Sequence, residues 1–415
     1  MSIVKLLHTA DWHLGHRLHG HERYFEHRSF LDWLLHEISE RDIDGLLVAG
    51  DIFDTANPSA TSWQLFYQFL ATLRQQRPHL NVIIIAGNHD SPSKLDAPHE
   101  LLRSFDLHLI GAIERDADGK LNSEKLVIPL KDRTGAIRAW CAAVPFLRSA
   151  DLRLSEELQN SDEDRLVAGV AEVYQQVFAC INAQRTAGQP VLAMGHAYLQ
   201  RGELSELSER KVLGGNQHAL PLSVFNGADY VALGHLHLAQ SLSEQVHYAG
   251  SPLPLSLAEQ HYPHQLIELT VTDNQISVSD KIRIPTVVDI LRIPATPAPL
   301  DDVLAELNAL SLNELPHNQQ PFLEVRVRLE KPEARLRERI LAVLADKPVR
   351  LARIHIEYSG HGLGMADQMT SVPLDSLSAK EVFALCYQRQ YASSPDEDLL
   401  GCFEELETAL ENVAS

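Results

Sequence analysis

Residues 81–90 read Asn-Val-Ile-Ile-Ile-Ala-Gly-Asn-His-Asp. A short apolar run rich in β-branched residues reads as a buried strand. It stops at Gly87, and Asn88, His89 and Asp90 follow at once. In an open α/β sheet, ligands bind beyond the carboxyl ends of the strands. These three groups are therefore expected at the mouth of a site, on backbone held by the strand beneath. The pattern recurs four more times: Asp11-Trp12-His13, Gly50-Asp51 with Asp54, Gly195-His196, and Gly234-His235-Leu236-His237, each after an apolar run. A glycine lies just before four of the five, where bulk would block close approach.

Carboxylate, imidazole and amide oxygen together suit borderline divalent metals such as manganese, iron or zinc. Without a metal, so many polar groups converging at one end of a sheet would be costly to desolvate. Singly, each signal is weak. His196 alone reads as a satisfied surface or core histidine, and a His-x-His is common on half-exposed strands. The ordered set of five is what points to a metal centre. His8, His79, His99, His108 and His261 lack that context, and most are expected to be solvated.

Between the polar tips the chain reads as alternating strands and helices. Ile3 to His8, Gly45 to Ala49, Leu107 to Ile110, Val191 to Gly195 and Tyr230 to Leu233 read as strands. Phe30, Leu31, Leu34, Leu35 and Ile38 share one helical face, and Ser62 to Leu73 and Asp164 to Thr186 read as further helices. Leu126 to Leu130 and Ile137 to Val144 read as a hairpin around Arg133-Thr134-Gly135. Val246 to Ser251, Leu266 to Thr272 and Ile276 to Ile284 read as closing antiparallel strands. After Pro285 the composition changes, and Pro294, Pro297 and Pro299 mark a linker or an edge. Beyond it, helix Leu300 to Ala309, strand Phe322 to Leu329, helix Glu333 to Leu344 and strand Arg350 to Glu357 make a small α+β module with no ionisable cluster of its own. The Gly-rich segment Ser359 to Gly364 reads as a linker, since no Walker-type Gly-Lys-Ser/Thr follows. Two capping boxes, Ser378 to Glu381 and Ser394 to Glu397, start two tail helices. Leu399, Phe403, Leu406 and Leu410 form a stripe on the second, which either folds back on its own core or is offered to a partner helix. The expected fold class is thus α/β (α+β), in three parts: 1–284, 285–358 and 359–415.

Composition narrows the function. No apolar run approaches the roughly 20 residues of a membrane span. Ile3 to Leu7 is short, contains Lys5 and does not read as a secretory signal. Cys141, Cys180, Cys386 and Cys402 have no paired spacing, which favours a reducing cytoplasm over a disulfide framework or a thiolate zinc site. The net charge of −20 argues against a general nucleic-acid surface. DNA binding would then need local basic patches, bound metals or a basic partner.

The ordered set Asp11-x-His13, Gly50-Asp51-x-x-Asp54, Gly87-Asn88-His89-Asp90, Gly195-His196 and Gly234-His235-x-His237 resembles the calcineurin-like metallophosphoesterases. Within them, Thr9 to Gly15, Glu209-Arg210 with Gly214-Gly215, Ala232 to His237 and Tyr248 to Pro252 are similar to the nuclease subunits of bacterial SbcCD-type complexes. The resemblance is strong up to about Pro285 and mostly architectural after it. It implies a two-sheet sandwich flanked by helices, a capping domain and a C-terminal helix pair. It implies that Asp11, His13, Asp51 and His237 hold one metal, and that Asp51, Asn88, His196 and His235 hold the other. The metals would be two divalent ions, manganese first, with magnesium, iron or zinc possible. His89 would stabilise the transition state or protonate the leaving alkoxide. Asp90 would hold the His89 ring, unless it merely forms a turn. Asp54 would steady a ligand from behind, or else cap a helix.

The activity so implied is phosphodiester hydrolysis by a two-metal-activated hydroxide: 3′-to-5′ exonuclease on duplex ends, endonuclease on single strands and hairpins, in DNA repair and recombination. The implied partners are an SbcC-like ABC-type ATPase with a coiled coil, DNA, and a second copy of the chain in a heterotetramer, in the bacterial cytoplasm. The competing readings are a small-molecule phosphodiesterase or phosphomonoesterase on the same fold, and a non-catalytic scaffold on a decayed site. Residues touching DNA are not fixed by the sequence; Arg17, His16, Arg148 and Arg201 are candidates only.

Overall fold

Strand alternation decides the layering. Leu46 and Val48 enter one core while Leu47 and Ala49 enter another, and Val82 and Ile84 part from Ile83 and Ile85 in the same way. A strand that is apolar on both faces must be covered on both faces, so a sheet here needs helices on one side and a second layer on the other. The computed structural model describes residues 3–152, 162–203, 219–272 and 275–359, with positions 383, 387, 391, 395, 399, 400 and 403. The two expected tail helices lie outside the described residues apart from those few positions, as does the Glu209-to-Gly215 stretch.

The chain forms two units, Met1–Asp289 and Ile290–Ser415. The first begins with β1 (Val4–Thr9), a small hairpin of β2 (Arg17–Leu18) and β3 (His21–Glu22), α1 (Tyr24–Glu40), β4 (Gly45–Ala49) and α2 (Ala60–Gln76). Then come β5 (Asn81–Ile85), the short helices α3 (Pro92–Asp96) and α4 (His99–Arg103), β6 (Leu107–Ile110), β7 (Val127–Lys131), β8 (Ile137–Ala143) and α5 (Asp162–Gln184). It closes with β9 (Val191–His196), β10 (Tyr230–Gly234), β11 (Gln240–Ser241), β12 (Val246–Tyr248), β13 (Gln265–Val271) and β14 (Ile276–Arg283).

Two six-stranded sheets result, in the orders β14-β13-β1-β4-β5-β6 and β11-β12-β10-β9-β8-β7. Their facing sides share one core, while α1 and α2 cover the outer face of the first sheet through Phe30, Leu34, Phe66 and Phe69. β1, β4 and β5 run parallel and adjacent, and so do β9 and β10. Five strand tips therefore emerge side by side from the two sheets.

Three expectations need correction in this unit. The strand from Val246 ends at Tyr248 and pairs parallel with β10; only its short partner β11 is antiparallel to it. The strands from Leu266 and Ile276 are antiparallel, with β13 between β1 and β14. Arg165–Gln184 does reach the length and apolar composition of a membrane span. Its Val173, Tyr174, Val177 and Ile181, however, are buried in the core. His8 is not solvated: it is fully buried, its Nε2 donates to the Leu233 carbonyl (3.1 Å), and the Tyr230 hydroxyl donates to its Nδ1 (3.0 Å). Burial, reinforced by His247, pushes its pKa down to about 3, so the ring is neutral. Among the described residues Cys141 and Cys180 are free thiols.

The second unit alternates β15 (Ile290–Pro299), α6 (Leu300–Ala309), β16 (Phe322–Leu329), α7 (Leu336–Leu344) and β17 (Arg350–Tyr358). Its three strands are parallel with β16 in the centre. The proline-rich stretch is the edge strand, and its register breaks between Ile293 and Ala298, where Pro294 and Pro297 cannot donate to a ladder. Val303, Leu307 and Ile340 of the helices meet Leu323, Val325 and Val327 of the sheet. The module does carry an ionisable cluster: buried Glu324 lies 3.2 Å from Arg292 and 3.0 Å from Arg353.

Candidate metal centre

The five tips meet because their backbones are tied together. The Asp11 amide donates to the Gly50 carbonyl (3.0 Å), His13 to Asp51 (3.0 Å) and Leu14 to Ile52 (2.9 Å). Asp11, His13, Asp51 and His235 sit at positive φ (54°, 45°, 49° and 103°). Such backbone costs a non-glycine residue about 1–2 kcal/mol, and here it falls on four polar residues in the loops after β1, β4 and β10. The glycines before the tips allow the approach. A Cβ on Gly87 would collide with Asp51, and one on Gly50 with His196. One on Gly234 would strike the Ala49 carbonyl of the opposite sheet.

Asp51 is central. Its Oδ1 accepts the His89 amide at 2.8 Å. Its Oδ2 lies 3.3 Å from Nε2 of His196 and 3.6 Å from Nε2 of His13. The Asn88 side-chain oxygen lies 3.0 Å from Nε2 of His196 and 3.0 Å from Nδ1 of His235. Nδ1 of His196 faces the Ala49 carbonyl at 2.9 Å, so it carries the proton. In the neutral ring Nε2 then presents a lone pair to two oxygens. Acceptors that face acceptors in a buried site need a cation, or a proton, between them.

The electrostatics agree. Burial opposes charge on His196, but the Asp51 and Asp11 carboxylates outweigh it and push the ring up to about 9. Burial likewise opposes ionised Asp51, yet the His196, His13 and His89 imidazoles hold it well below the usual carboxylate range. Asp11 is raised, because burial exceeds the pull of His196 and His237. His235 is pushed down to about 3 by burial and by His196. Buried Asp11 Oδ2 and His13 Nε2 have no hydrogen-bond partner. Two groups, His13–Asp54–His89 and Asp11–Asp51–His196, each bring ligand-type atoms within 4.8 Å of one another. The residues fit a dinuclear metal site, with Asp51 facing both halves.

The remaining expected residues fall around this core. The His237 ring packs 5.2 Å from that of His13, and its Nδ1 lies 3.3 Å from Oε1 of Glu259. Asp54 Oδ1 lies 3.3 Å from Nδ1 of His13, so it steadies that ring and does not cap a helix. His89 sits half-buried beside His13, with ring centroids 4.8 Å apart, and its Nδ1 donates to the Asp54 carbonyl at 2.8 Å. Asp90 does not hold the His89 ring. Its carboxylate is buried and accepts the amides of Gly87 (2.8 Å), Phe53 (3.0 Å) and Ile52 (3.1 Å), which locks two tips together. Burial and the Asp51 charge push it up to about 6 against those three donors.

Glu259 is the residue that sequence reasoning missed. It is fully buried, and its other oxygen accepts the Leu255 amide at 2.8 Å. Nothing in Leu257 to His261 marks it, since it follows no strand and no glycine. Of the candidate DNA contacts, Arg17 is exposed and bonds the Gly20 carbonyl. Arg148 donates to the Asp90 carbonyl at 3.3 Å. Burial and Arg23 push His16 down to about 3, and Arg201 is exposed.

Residues 4–239 match the calcineurin-like phosphoesterase family, and residues 286–391 match the family described as "Type 5 capsule protein repressor C-terminal domain". The chain is 39% identical over 360 residues to the SbcD component of nuclease SbcCD from Rhodobacter capsulatus, covering 85% of this chain and 87% of that one. It is 29% identical over 390 residues to the protein of the same name in Escherichia coli K12, covering 92% of each. With that of Bacillus subtilis the identity is 34%, over 62% of this chain and 64% of the other.

Proposed function

The chain belongs to the calcineurin-like phosphoesterases, in the family of SbcD nucleases, and from that premise we propose that it is a metal-dependent nuclease cutting DNA phosphodiester bonds. The observation that carries the reading is the convergence of Asp51 Oδ2, Asn88 Oδ1 and the lone pair of His196 on one buried point. Asp11, His13, Asp51 and His237 would hold one divalent ion and Asp51, Asn88, His196 and His235 the other, with manganese as the first choice. When bound, such a pair supplies Lewis-acid charge and a water acidic enough to ionise near neutral pH.

The chain's own side chains do the rest. Asp54 and Glu259 fix the rings of His13 and His237 from behind, which sets which nitrogen faces inward. Asp90 keeps the tips bearing Asp51 and Asn88 in one register. His89 donates a hydrogen bond from Nδ1 to the Asp54 carbonyl, so its Nε2 is the nitrogen that faces the leaving oxygen. Its proposed task is to act as the doubly protonated ring and pass the Nε2 proton to that oxygen as the ester bond breaks, leaving the neutral Nδ1–H imidazole.

The proposed division of labour is catalysis by residues 1–284, capping by 285–358 and partner binding by 359–415. The partner is an SbcC-like ABC-type ATPase with a coiled coil, which would supply basic surface to a chain of charge −20. A second copy of the chain is proposed to dock on α2 and α4. Tyr67 of α2, Leu101 of α4 and Phe105 just after α4 are exposed, and Trp63 stacks on Tyr67. Incubation with manganese, a linear duplex and a chromogenic phosphodiester, with and without the ATPase, tests the reading. Shortening of the duplex supports it; turnover of the small ester alone, with the ATPase present, refutes it.

A further inference from the structure

We infer that the apolar cavity behind His196 takes a single unstacked nucleobase of the strand being cut. The inference rests on the nuclease reading above and names how that site would engage its substrate. The cavity has a volume of about 230 Å³ and lies between the ends of β8 and β9 and the face of α5. Phe146, Leu147, Leu166, Val170, Tyr198 and Leu220 are among the apolar and aromatic residues of its wall. His196 belongs both to this wall and to the metal centre. The buried His196 ring is the partition between them, so a group held in the cavity lies one ring away from the metal centre, and a base is joined to its phosphate through a single sugar.

The size and lining select that occupant. Pockets for drug-sized ligands run to roughly 300–1,000 Å³, so this one is scaled to about one ring system. Sequence-independent readers of single strands stack bases on aromatic faces beside a cationic groove. This cavity has the aromatic rings of Phe146 and Tyr198 and one cation, Arg148. Phe146 packs edge-on against the His196 ring at 6.1 Å, which fixes its plane beside the centre. The Arg148 guanidinium lies 5.4 Å from the Phe146 ring, and its Nη2 also donates to the Asp90 carbonyl at 3.3 Å. Arg148 thus joins the cavity to the backbone of the tip that carries Asn88 and His89, and the Phe146 amide donates to the Ala86 carbonyl of the same tip at 2.9 Å. Taking a base out of the stack costs free energy, least where the strand is already single.

The test uses the full chain with manganese and two chromogenic esters, p-nitrophenyl thymidine 5′-phosphate and its abasic deoxyribose 5-phosphate counterpart. The readout is the ratio of their kcat/KM values, in the wild type and in Ser149→Trp and Tyr198→Ala. Ser149 is exposed at the cavity and can take a larger side chain without repacking. Wild type is expected to prefer the base-bearing ester by about tenfold or more, the scale of one base–aromatic stack. Each variant should bring the ratio towards one. A wild-type ratio of one overturns the inference, as does a ratio unchanged in either variant. A variant slowed equally on both esters overturns it too, since the cavity would then only support His196. Duplex DNA is run in parallel: intact duplex with the ester ratio preserved refutes the nuclease reading and leaves base binding standing.

Discussion

Replacing Gly87 by alanine is the sharpest perturbation available, because it adds one carbon at the narrowest point and changes no charge. Gly87 follows β5 without a positive φ, so the backbone itself accepts alanine. The new Cβ would meet the side chain and amide of Asp51, overlapping by more than about 1 Å. Asp51 must then swing away, lose its 2.8 Å bond from the His89 amide, and leave the line between His13 and His196. A displacement of about 1 Å in a reacting constellation costs on the order of 100-fold in rate. Overpacking should cost roughly 1–3 kcal/mol of stability, which a folded domain of this size tolerates. Calorimetric manganese titration should show affinity down by about 10- to 100-fold, and diester turnover should fall by about 100-fold. Gly135→Ala is the control. It sits at φ 85° with nothing within 4 Å of an added Cβ, so it should cost about 1 kcal/mol of stability and leave metal binding alone. Gly87→Ala with wild-type affinity and turnover would refute the packing argument and with it the central place given to Asp51.

The other predictions are briefer. His89→Ala should bind manganese as wild type does while kcat drops about 10²- to 10⁴-fold; weakened metal binding would make His89 a ligand instead. Glu259→Gln should weaken manganese binding by about tenfold through the His237 ring, read by titration, and an unchanged affinity would show Glu259 to be structural only. His8 has a folded pKa near 3, below its unfolded value near 6.5, so the unfolded chain binds the extra proton. Its contribution is complete above pH 6.5 and falls by about 1.4 kcal/mol per unit as pH drops towards 3. His8→Gln should flatten that part of the denaturation profile measured without metal.

The strand tips were legible because an apolar run, a glycine and a polar cluster are all local signals, and each constrains the same few residues. Asp51 and His196 could be found that way; what makes them a site is the distance across two sheets, which no local pattern records. The direction of β12 was not legible, since three residues buried on both faces carry no alternation to read. His8 looked like a solvated histidine because its partners, Tyr230 and Leu233, lie more than two hundred residues away. Asp90 was misread for the opposite reason. Its neighbour His89 invited a pairing, while its oxygens are taken up by the backbone of the adjacent tip and of its own turn. Glu259 had no signal at all until the His237 ring was seen against it.

Crystals grown in manganese and measured at its absorption edge test the central proposition most directly. Two anomalous peaks roughly 3.5–4 Å apart, with an Asp51 carboxylate oxygen between them, are the predicted result. A lone peak remote from Asp51, or none at saturating manganese, would contradict it.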